Sequence, residues 1–332
     1  MSYSEFELIR RCFVDEGLGF DRDGVVLGIG DDAAIVQPPN GMAIALSLDT
    51  LVEGVHFLKH APARLLARRA LAVNLSDIAA MGAEPLCFTL GLTLPESDDG
   101  WVAEFAAGLL ESARQFNCPL IGGDTTRGPL AITIQVHGMG RAESFLRRSS
   151  ARAGDLVCVT GTLGDAATAL LLLGCESHLG PQFAFTSRPN KTQEQALLAR
   201  YYTPEPRTDF AQQAREQINA CIDLSDGLLG DLAHILEASC VSAQLDLEAL
   251  PYSKTLMEVL CAEQRERAAL GGGDDYELCF TVAPESLSGV QDIAHALALA
   301  VTPIGVIAEG SGLTLSRAGE AIELASNAYR HF

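Results

Sequence analysis

The chain has 332 residues, of which 48% are hydrophobic and 20% charged, proportions of a globular protein with room for two domains and not of a disordered chain. Its 23 basic and 43 acidic residues give a formal charge of −20, which argues against broad binding to nucleic acid or to an anionic membrane. The nine cysteines form no CxxC pair and the first residues carry no signal-peptide pattern, so we expect buried free thiols, no zinc site and a cytoplasmic location.

Apolar runs and helical periodicity alternate along the first half of the chain. Strands are predicted at 25–27, 42–48, 86–94, 119–123 and 130–136, and helices at 5–13, 63–81 and 98–116. In the helix predicted at 63–81, Asn74 and Asp77 are three residues apart and therefore share a face. The stretch 145–152 is rich in arginine and locally basic, whereas the chain as a whole is acidic. We therefore place a domain boundary there, between residues 1–148 and 149–332.

The second half repeats the same kinds of element. Strands are predicted at 156–160, 241–247, 278–282, 304–307 and 313–315, and helices at 166–173, 194–202 and 228–237. The order strand, glycine turn, helix over 156–173 is an α/β unit, so the fold class is α/β (α+β). No apolar run approaches the ~20 residues of a membrane span.

Aspartates recur beside small residues, mostly where apolar runs end. In Gly28-Ile-Gly-Asp-Asp-Ala-Ala34 two adjacent carboxylates repel each other unless a cation or water neutralises them. Any one such acid is more often a turn or cap residue, but seven share this pattern, and hard cations such as Mg²⁺ use carboxylates to reach substrate phosphates. The pattern predicts Mg²⁺ ions around a polyphosphate. The seven are Asp31, Asp32, Asp49, Asp77, Asp124, Asp223 and Asp226.

Other motifs leave more than one interpretation open. Walker A, protein-kinase, GxSxG and HExxH sequences do not occur. The turn Gly161–Asp165 precedes a predicted helix, whose first N–H groups could face a phosphate. Asp274-Asp275-Tyr276 suits a cationic heteroaromatic ligand, or is a turn into a core strand. His56 lies between Val55 and Phe57, and from these residues alone a core histidine is favoured.

Eight motifs, in order, resemble those of the thiamine-monophosphate kinase family, which shares a superfamily with aminoimidazole ribonucleotide synthetase and selenophosphate synthetase. They are GIGDDAA (28–34), SLDTLVEGVHF (47–57), LAVNLSDIAAMGAEP (71–85), LIGGDTTRGP (120–129), RRS (147–149), VTGTLGD (159–165), IDLSDGL (222–228) and GGDDYELCF (272–280). The resemblance runs nearly end to end. It implies mixed sheets covered by helices, a metal- and ATP-binding N-terminal domain that also dimerises, and a C-terminal α/β domain.

The resemblance also assigns site residues by position. Mg²⁺ ligands are implied at Asp32, Ser47, Leu48, Asp49, Asp77, Asp124, Asp223 and Asp226. ATP contacts are implied at Gly123, Asp124, Arg148 and Ser225, and contacts to the substrate at His56, Asp274 and Tyr329, which reverses the preference for a core His56. Leu48 stands where the family often has Thr, so only its backbone carbonyl could serve a metal. Asp274 stands where Glu is common.

The implied reaction is ATP-dependent phosphorylation of thiamine monophosphate to thiamine diphosphate by a homodimer. The acceptor is an ionised phosphate, so no general base is needed, and metal ions would offset the repulsion between two anions. Two alternatives stay open. A selenophosphate synthetase-like enzyme would need a reactive cysteine on a flexible N-terminal segment, and Cys12 lies in a helical pattern. A non-catalytic nucleotide or thiamine-phosphate binding protein would bind ATP without forming ADP.

Overall fold

The computed structural model describes residues 10–96, 98–175 and 179–322. Contacts between Cα atoms divide the chain into two units, one of Met1–Ile78 and Ala83–Glu143, the other of Ala79–Gly82 and Ser144–Phe332. The domain boundary predicted from the sequence lies at residue 148, and it stays a prediction. Among the described residues, no helix is both long and apolar enough to cross a membrane.

The first unit is built on a mixed four-stranded sheet. Its elements are a π-helical turn (Arg10–Val14), β1 (Val25–Leu27), β2 (Ile35–Val36), β3 (Ala43–Val52), α1 (Ala63–Ala80), β4 (Glu84–Leu94), α2 (Asp99–Gln115), β5 (Leu120–Arg127) and β6 (Ala131–Gly140). The sheet order is β3-β6-β4-β5, with β4 and β5 parallel and the other pairs antiparallel, while β1 and β2 form a separate hairpin.

Alternation along the strands decides which face of this sheet is covered. Phe88, Leu90 and Leu92 of β4 are buried, as are most of the apolar residues of α1 and α2, so these make the core of the unit. The side chain of Asp98 caps α2 by accepting hydrogen bonds from the N–H groups of Gly100 and Trp101, each at 3.0 Å.

The second unit contains a larger mixed sheet in the order β13-β12-β9-β11-β7-β10-β8. Its strands are β7 (Leu156–Thr160), β8 (Ile218–Asp223), β9 (Ser242–Asp246), β10 (Leu278–Val282), β11 (Val301–Ala308), β12 (Gly312–Arg317) and β13 (Glu320–Ile322). Its helices are α3 (Asp165–Leu172), α4 (Lys191–Tyr202), α5 (Thr208–Ala214), α6 (Leu228–Ser239), α7 (Lys254–Val259), α8 (Ala262–Gly271) and α9 (Leu287–Ala296).

Helices cover both faces of this second sheet. Val157 and Val159 belong to a core cluster that also contains residues of α6 and α8. Cys158 lies on the opposite face, in a cluster that contains residues of α5 and α9. Because both faces are buried, β7 is apolar at consecutive positions and does not alternate with polar residues.

The fold class predicted from the sequence, α/β (α+β) with mixed sheets and covering helices, is confirmed. The strand predicted at 119–123 continues to Arg127, and the helix predicted at 194–202 begins at Lys191. Residues 5–9 of the first predicted helix lie outside the described residues, and 10–14 form a π-helical turn. The expected free thiols are found: all nine cysteines are free and five of them are buried.

Candidate functional site

Three of the predicted metal ligands meet where α1 lies against β3. The Ser47 hydroxyl donates a hydrogen bond to Oδ2 of Asp77 at 2.5 Å. The N–H of Asp49 donates to Oδ1 of Asn74 at 3.0 Å, and the Asn74 side chain in turn donates to the carbonyl of Ala70 at 2.9 Å. Asn74 and Asp77 therefore both use the α1 face that faces β3, and they fix the position of Ser47 and Asp49.

The two carboxylates of this group carry unfavourable charge. Burial raises the pKa of Asp49 to about 6, with a further increase from the negative charge of Asp77. Paired carboxylates beside a hydroxyl are hard oxygen donors, and a divalent cation between them would relieve the repulsion, so these residues fit Mg²⁺. No group of three or more His, Cys, Asp or Glu side chains within residues 10–96, 98–175 and 179–322 is placed to hold a metal. Water and substrate phosphates would have to complete the coordination.

A cavity of about 800 Å³ in the same unit brings together two more of the predicted ligands. Asp32 follows β1 and Asp124 lies on β5, and both line the cavity with exposed carboxylates. Gly122 and Gly123 form part of its wall. A Cβ at Gly123 would lie 2.0 Å from the carbonyl oxygen of Leu90, so only glycine allows β5 to approach β4 this closely.

Leu48 lies between Ser47 and Asp49 on β3, so its side chain points to the opposite face of the sheet. There it is 55% exposed. The implied role of a backbone carbonyl at Leu48 stays a prediction.

In the second unit, Asp223 ends β8, and Ser225 and Asp226 lie in the loop before α6. This loop is held by Asp231, which sequence reasoning missed. Oδ2 of Asp231 accepts hydrogen bonds from the N–H groups of Asp226 (3.0 Å) and Gly227 (3.1 Å). Burial, and after it the charge of Asp226, raises the pKa of Asp231 to about 7. An acid in the first turn of a helix that follows an acidic loop was the available signal.

The segment with the predicted substrate contact Asp274 lies beside that loop. The N–H of Asp274 donates to the carbonyl of Ser225 and the N–H of Tyr276 to the carbonyl of Leu224, both at 2.8 Å. Between them, the carboxylate of Asp275 accepts from the N–H of Gly164 at 2.9 and 3.0 Å. The suggestion that the turn Gly161–Asp165 offers its N–H groups to a phosphate is therefore wrong at Gly164, because a buried carboxylate takes that donor.

His56 and Arg148 occupy different surroundings, and Tyr329 lies outside the described residues. His56 is half-buried, and its Nδ1 accepts a hydrogen bond from the N–H of Val52 at 3.0 Å, which places any ring proton of the neutral form on Nε2. Arg148 begins a 3₁₀ turn (Arg148–Ser150) with an exposed side chain, and its carbonyl accepts from the Ser239 hydroxyl at 2.8 Å.

Comparison with known proteins finds the same relationship over the whole chain. The family models "AIR synthase related protein", N-terminal and C-terminal domains, match residues 30–142 and 152–317. The chain is similar to thiamine-monophosphate kinase of Escherichia coli (strain K12), with 44% identity over 337 residues, 100% of this chain and 99% of that protein.

Solved structures agree with that similarity. The crystal structure of thiamine-monophosphate kinase from Stenotrophomonas maltophilia K279a has a TM-score of 0.84 and 41% identity, covering 97% of this chain and 99% of that one. AaThiL in complex with AMPPCP and TMP has a TM-score of 0.75 and 29% identity, covering 98% of this chain and 96% of that one. E. coli HypE, a hydrogenase maturation protein, shares the fold at 20% identity and a TM-score of 0.73.

Proposed function

Because the chain belongs to the thiamine-monophosphate kinase family of AIR synthase related proteins, we propose that it transfers the terminal phosphate of ATP to thiamine monophosphate, giving thiamine diphosphate and ADP. The structural observation that supports this proposal is the closeness of two carboxylates, Asp49 and Asp77, of which Asp77 accepts a hydrogen bond from the Ser47 hydroxyl and raises the pKa of Asp49 by its negative charge, after burial. Two anionic phosphates can react only where positive charge reduces their repulsion.

The acidic residues would hold the metal in two groups, one in each unit. In the first unit the proposed ligands are Asp32, Ser47, the Leu48 carbonyl, Asp49, Asp77 and Asp124; in the second they are Asp223 and Asp226. Bound Mg²⁺ would neutralise phosphate charge and align the reacting groups. The proposed ATP contacts are Gly123, Asp124, Arg148 and Ser225.

The acceptor side would use His56 and Asp274, with Tyr329 as a further predicted contact. Because Nδ1 of His56 accepts the Val52 N–H, the ring proton of the neutral form lies on Nε2, the atom that would donate to a phosphate oxygen. The carboxylate of Asp274 would face the cationic ring of the substrate.

Transfer is proposed to be direct and in line. An oxygen of the acceptor phosphate forms a bond to the terminal phosphorus of ATP while the bond from that phosphorus to ADP breaks, so no proton needs to leave the nucleophile. Ionised phosphate supplies its own electron pair, and the chain's residues bind and orient. Incubation with ATP alone should therefore leave no phosphorylated enzyme.

The homodimer implied by the family is also part of this proposal, supported by the exposed apolar side chains of Ile44, Leu46 and Leu48 on one face of β3. Cytoplasmic location stays a prediction. The selenophosphate synthetase-like alternative finds no support at Cys12, since burial and then the charge of Asp99 raise the pKa of its thiol and so disfavour the reactive thiolate.

The test is ADP release from ATP and Mg²⁺ with thiamine monophosphate, free thiamine or selenide as separate acceptors. We expect release only with thiamine monophosphate, together with thiamine diphosphate identified by chromatography, and no release after chelation of the metal. Release with selenide would move the chain to another branch of its superfamily. ATP binding without ADP formation would support a non-catalytic protein.

A further inference from the structure

In the segment 274–277, two buried carboxylates alternate with two half-buried residues, of which Asp274 is a predicted substrate contact. The side chains of Asp275 and Glu277 are 3% and 1% exposed. Asp274, which precedes Asp275, and Tyr276, which lies between the two acids, are half-buried. The segment therefore has an inner face of acids and an outer face with the predicted substrate contact. The family resemblance assigns nothing to the inner face.

Glu277 is the centre of a set of charged hydrogen bonds that we name the Glu277 clamp, made of Glu277, Arg200, Arg207 and Thr160. Nε and Nη2 of Arg207 donate to the two carboxylate oxygens at 2.7 and 2.6 Å, a two-pronged geometry that fixes the carboxylate plane. Nη2 of Arg200 donates at 2.8 Å and the Thr160 hydroxyl at 2.6 Å. Helix α4, the start of α5 and strand β7 thus all hold one side chain.

The turn after β7 is shaped to admit this carboxylate. A Cβ at Gly161, whose φ is +60°, would lie 2.1 Å from Oε1 of Glu277, so the turn requires glycine here. Arg200 also donates to the carbonyl of Thr162 at 3.3 Å. The turn Gly161–Asp165 therefore packs against the two buried carboxylates, and the N–H of Gly164 donates to one of them, Asp275.

The outer face needs such support because its backbone is strained. Asp274 and Tyr276 have φ values of +62° and +49°, in the left-handed region that is unfavourable for residues with a side chain. Strained residues of this kind persist only where the surroundings fix them from several sides. Here the surroundings are the carbonyls of Leu224 and Ser225 on one side and the buried carboxylates on the other.

We propose that Glu277, held by Arg200 and Arg207, is a positioning residue for the acceptor substrate, because it keeps Asp274 and Tyr276 in the conformation that receives a cationic heteroaromatic phosphate. This inference rests on the proposed function and extends it to residues that do not touch the substrate. We expect the clamp to affect the acceptor more than the nucleotide, because Asp274 is the residue proposed to face the acceptor.

The test compares steady-state kinetics of Glu277→Gln and wild type with each substrate varied in turn. The amide keeps the shape of the side chain but removes the charge that Arg207 and Arg200 pair with. We expect KM for thiamine monophosphate to rise by about tenfold or more, with KM for ATP changed less than about threefold. Calorimetric binding of thiamine monophosphate to the enzyme without ATP should weaken to the same extent.

A matched control is offered by Glu205, whose Oε2 accepts from Nη1 of the same Arg207 at 3.0 Å but lies on the surface. Glu205→Gln should leave both KM values unchanged. Arg207→Lys keeps the charge and loses the two-pronged bond, so it should raise the KM for thiamine monophosphate by a smaller factor. If circular dichroism shows that Glu277→Gln does not fold, Arg207→Lys decides instead: its KM for thiamine monophosphate should rise while its KM for ATP does not.

Equal increases in both KM values, or a fall in kcat with both KM values unchanged, would overturn the inference and leave the proposed function standing. Failure of the wild-type enzyme to phosphorylate thiamine monophosphate would instead overturn the proposed function. The two failures are therefore distinguishable in one series of assays.

Discussion

Asp124 shows how a single carboxylate can matter to activity while contributing little to the fold. It is exposed on β5, lines the same cavity as Asp32, and follows Gly123, which lets β5 approach β4. Replacing an exposed side chain on a strand usually changes the free energy of unfolding by no more than about 0.5 kcal/mol. Its importance would come from the charge that it offers to a metal on ATP.

Replacing Asp124 by Asn should lower kcat/KM on the order of 100-fold, since the amide keeps the shape but not the charge. The melting temperature should stay within about 2 °C of wild type. Thr126→Asn is the matched control, because Thr126 is exposed on the same strand but does not line the cavity. Near-normal turnover of Asp124→Asn at saturating Mg²⁺ would remove Asp124 from the proposed site.

Glu277 predicts a pH dependence of stability whose sign follows from its partners. Burial alone raises the pKa of Glu277, but the hydrogen bond and charge of Arg207 and the charge of Arg200 outweigh it, so the pKa is lowered from 4.5. A carboxyl with a lower pKa in the folded state stabilises that state above its unfolded pKa, and the contribution is lost as pH falls through the folded pKa. Acid should therefore remove the benefit of the clamp.

The free energy of unfolding of wild type should exceed that of Glu277→Gln near pH 7, and the difference should shrink as the pH falls below 4.5, the ordinary pKa of this carboxyl. Urea titrations at neutral and at acid pH measure the difference, and the comparison of the two proteins cancels the other carboxylates. A difference that grows toward acid pH would contradict the assignment of Glu277 as an ionised partner of Arg207.

At the scale of elements, short-range periodicity was enough to place α1 and the face that carries Asn74 and Asp77. It could not show that this face meets β3, because the contact of Asp77 with Ser47 depends on a register between segments 30 residues apart. The acids of the first unit were recognisable one by one. Which of them share a cation depends on tertiary packing.

The turn Gly161–Asp165 illustrates the opposite case. Its glycines and the strand and helix around it were predicted correctly, but its ligand was not. The N–H of Gly164 donates to Asp275, and a side chain at position 161 would collide with Glu277. Both acids lie more than a hundred residues further along the chain. No local pattern marks Arg200 and Arg207 as partners of a buried acid, since arginines on a helix surface are usually solvated.

Several short helices of the second unit were missed for a related physical reason. Helix α7 has 6 residues, too few to show a helical repeat or to form alone in water. It is held by Ser253, whose hydroxyl accepts the N–H of Leu256 at 3.0 Å and donates to Asp165 at 2.5 Å. Such helices depend on tertiary contacts that the sequence does not reveal.

At the scale of the whole molecule, the first unit has a sheet face that residues 10–96, 98–175 and 179–322 leave exposed along β3. Ile44, Leu46 and Leu48 on β3 are 37%, 60% and 55% exposed, although three large apolar residues in a row on one face are unusual on a monomer. Leu46 and Leu48 pair in register with His137 and Gln135 of β6, which extends the face across the sheet. A second copy of the same face is the partner that the proposed homodimer requires.

Leu46→Glu should therefore convert a dimer into a monomer. In a two-fold interface the substitution acts twice, removing two apolar contacts and burying two carboxylates of like charge, so we expect the dimer dissociation constant to rise by at least about 100-fold. Because Leu46 points away from the core, circular dichroism and the melting behaviour should show a folded unit. Analytical ultracentrifugation over a range of concentrations measures the association directly.

Met257→Glu is the matched control, because Met257 is a large apolar residue, 52% exposed, on α7 of the other unit. It should leave the mass of the particle unchanged, which separates a general effect of added charge from loss of the β3 face. A dimer that survives Leu46→Glu would mean that the copies meet elsewhere. The exposed leucines would then need a different partner. If the wild type is itself a monomer, the dimer is removed from the proposal, and the proposed phosphate-transfer site must be complete in a single chain.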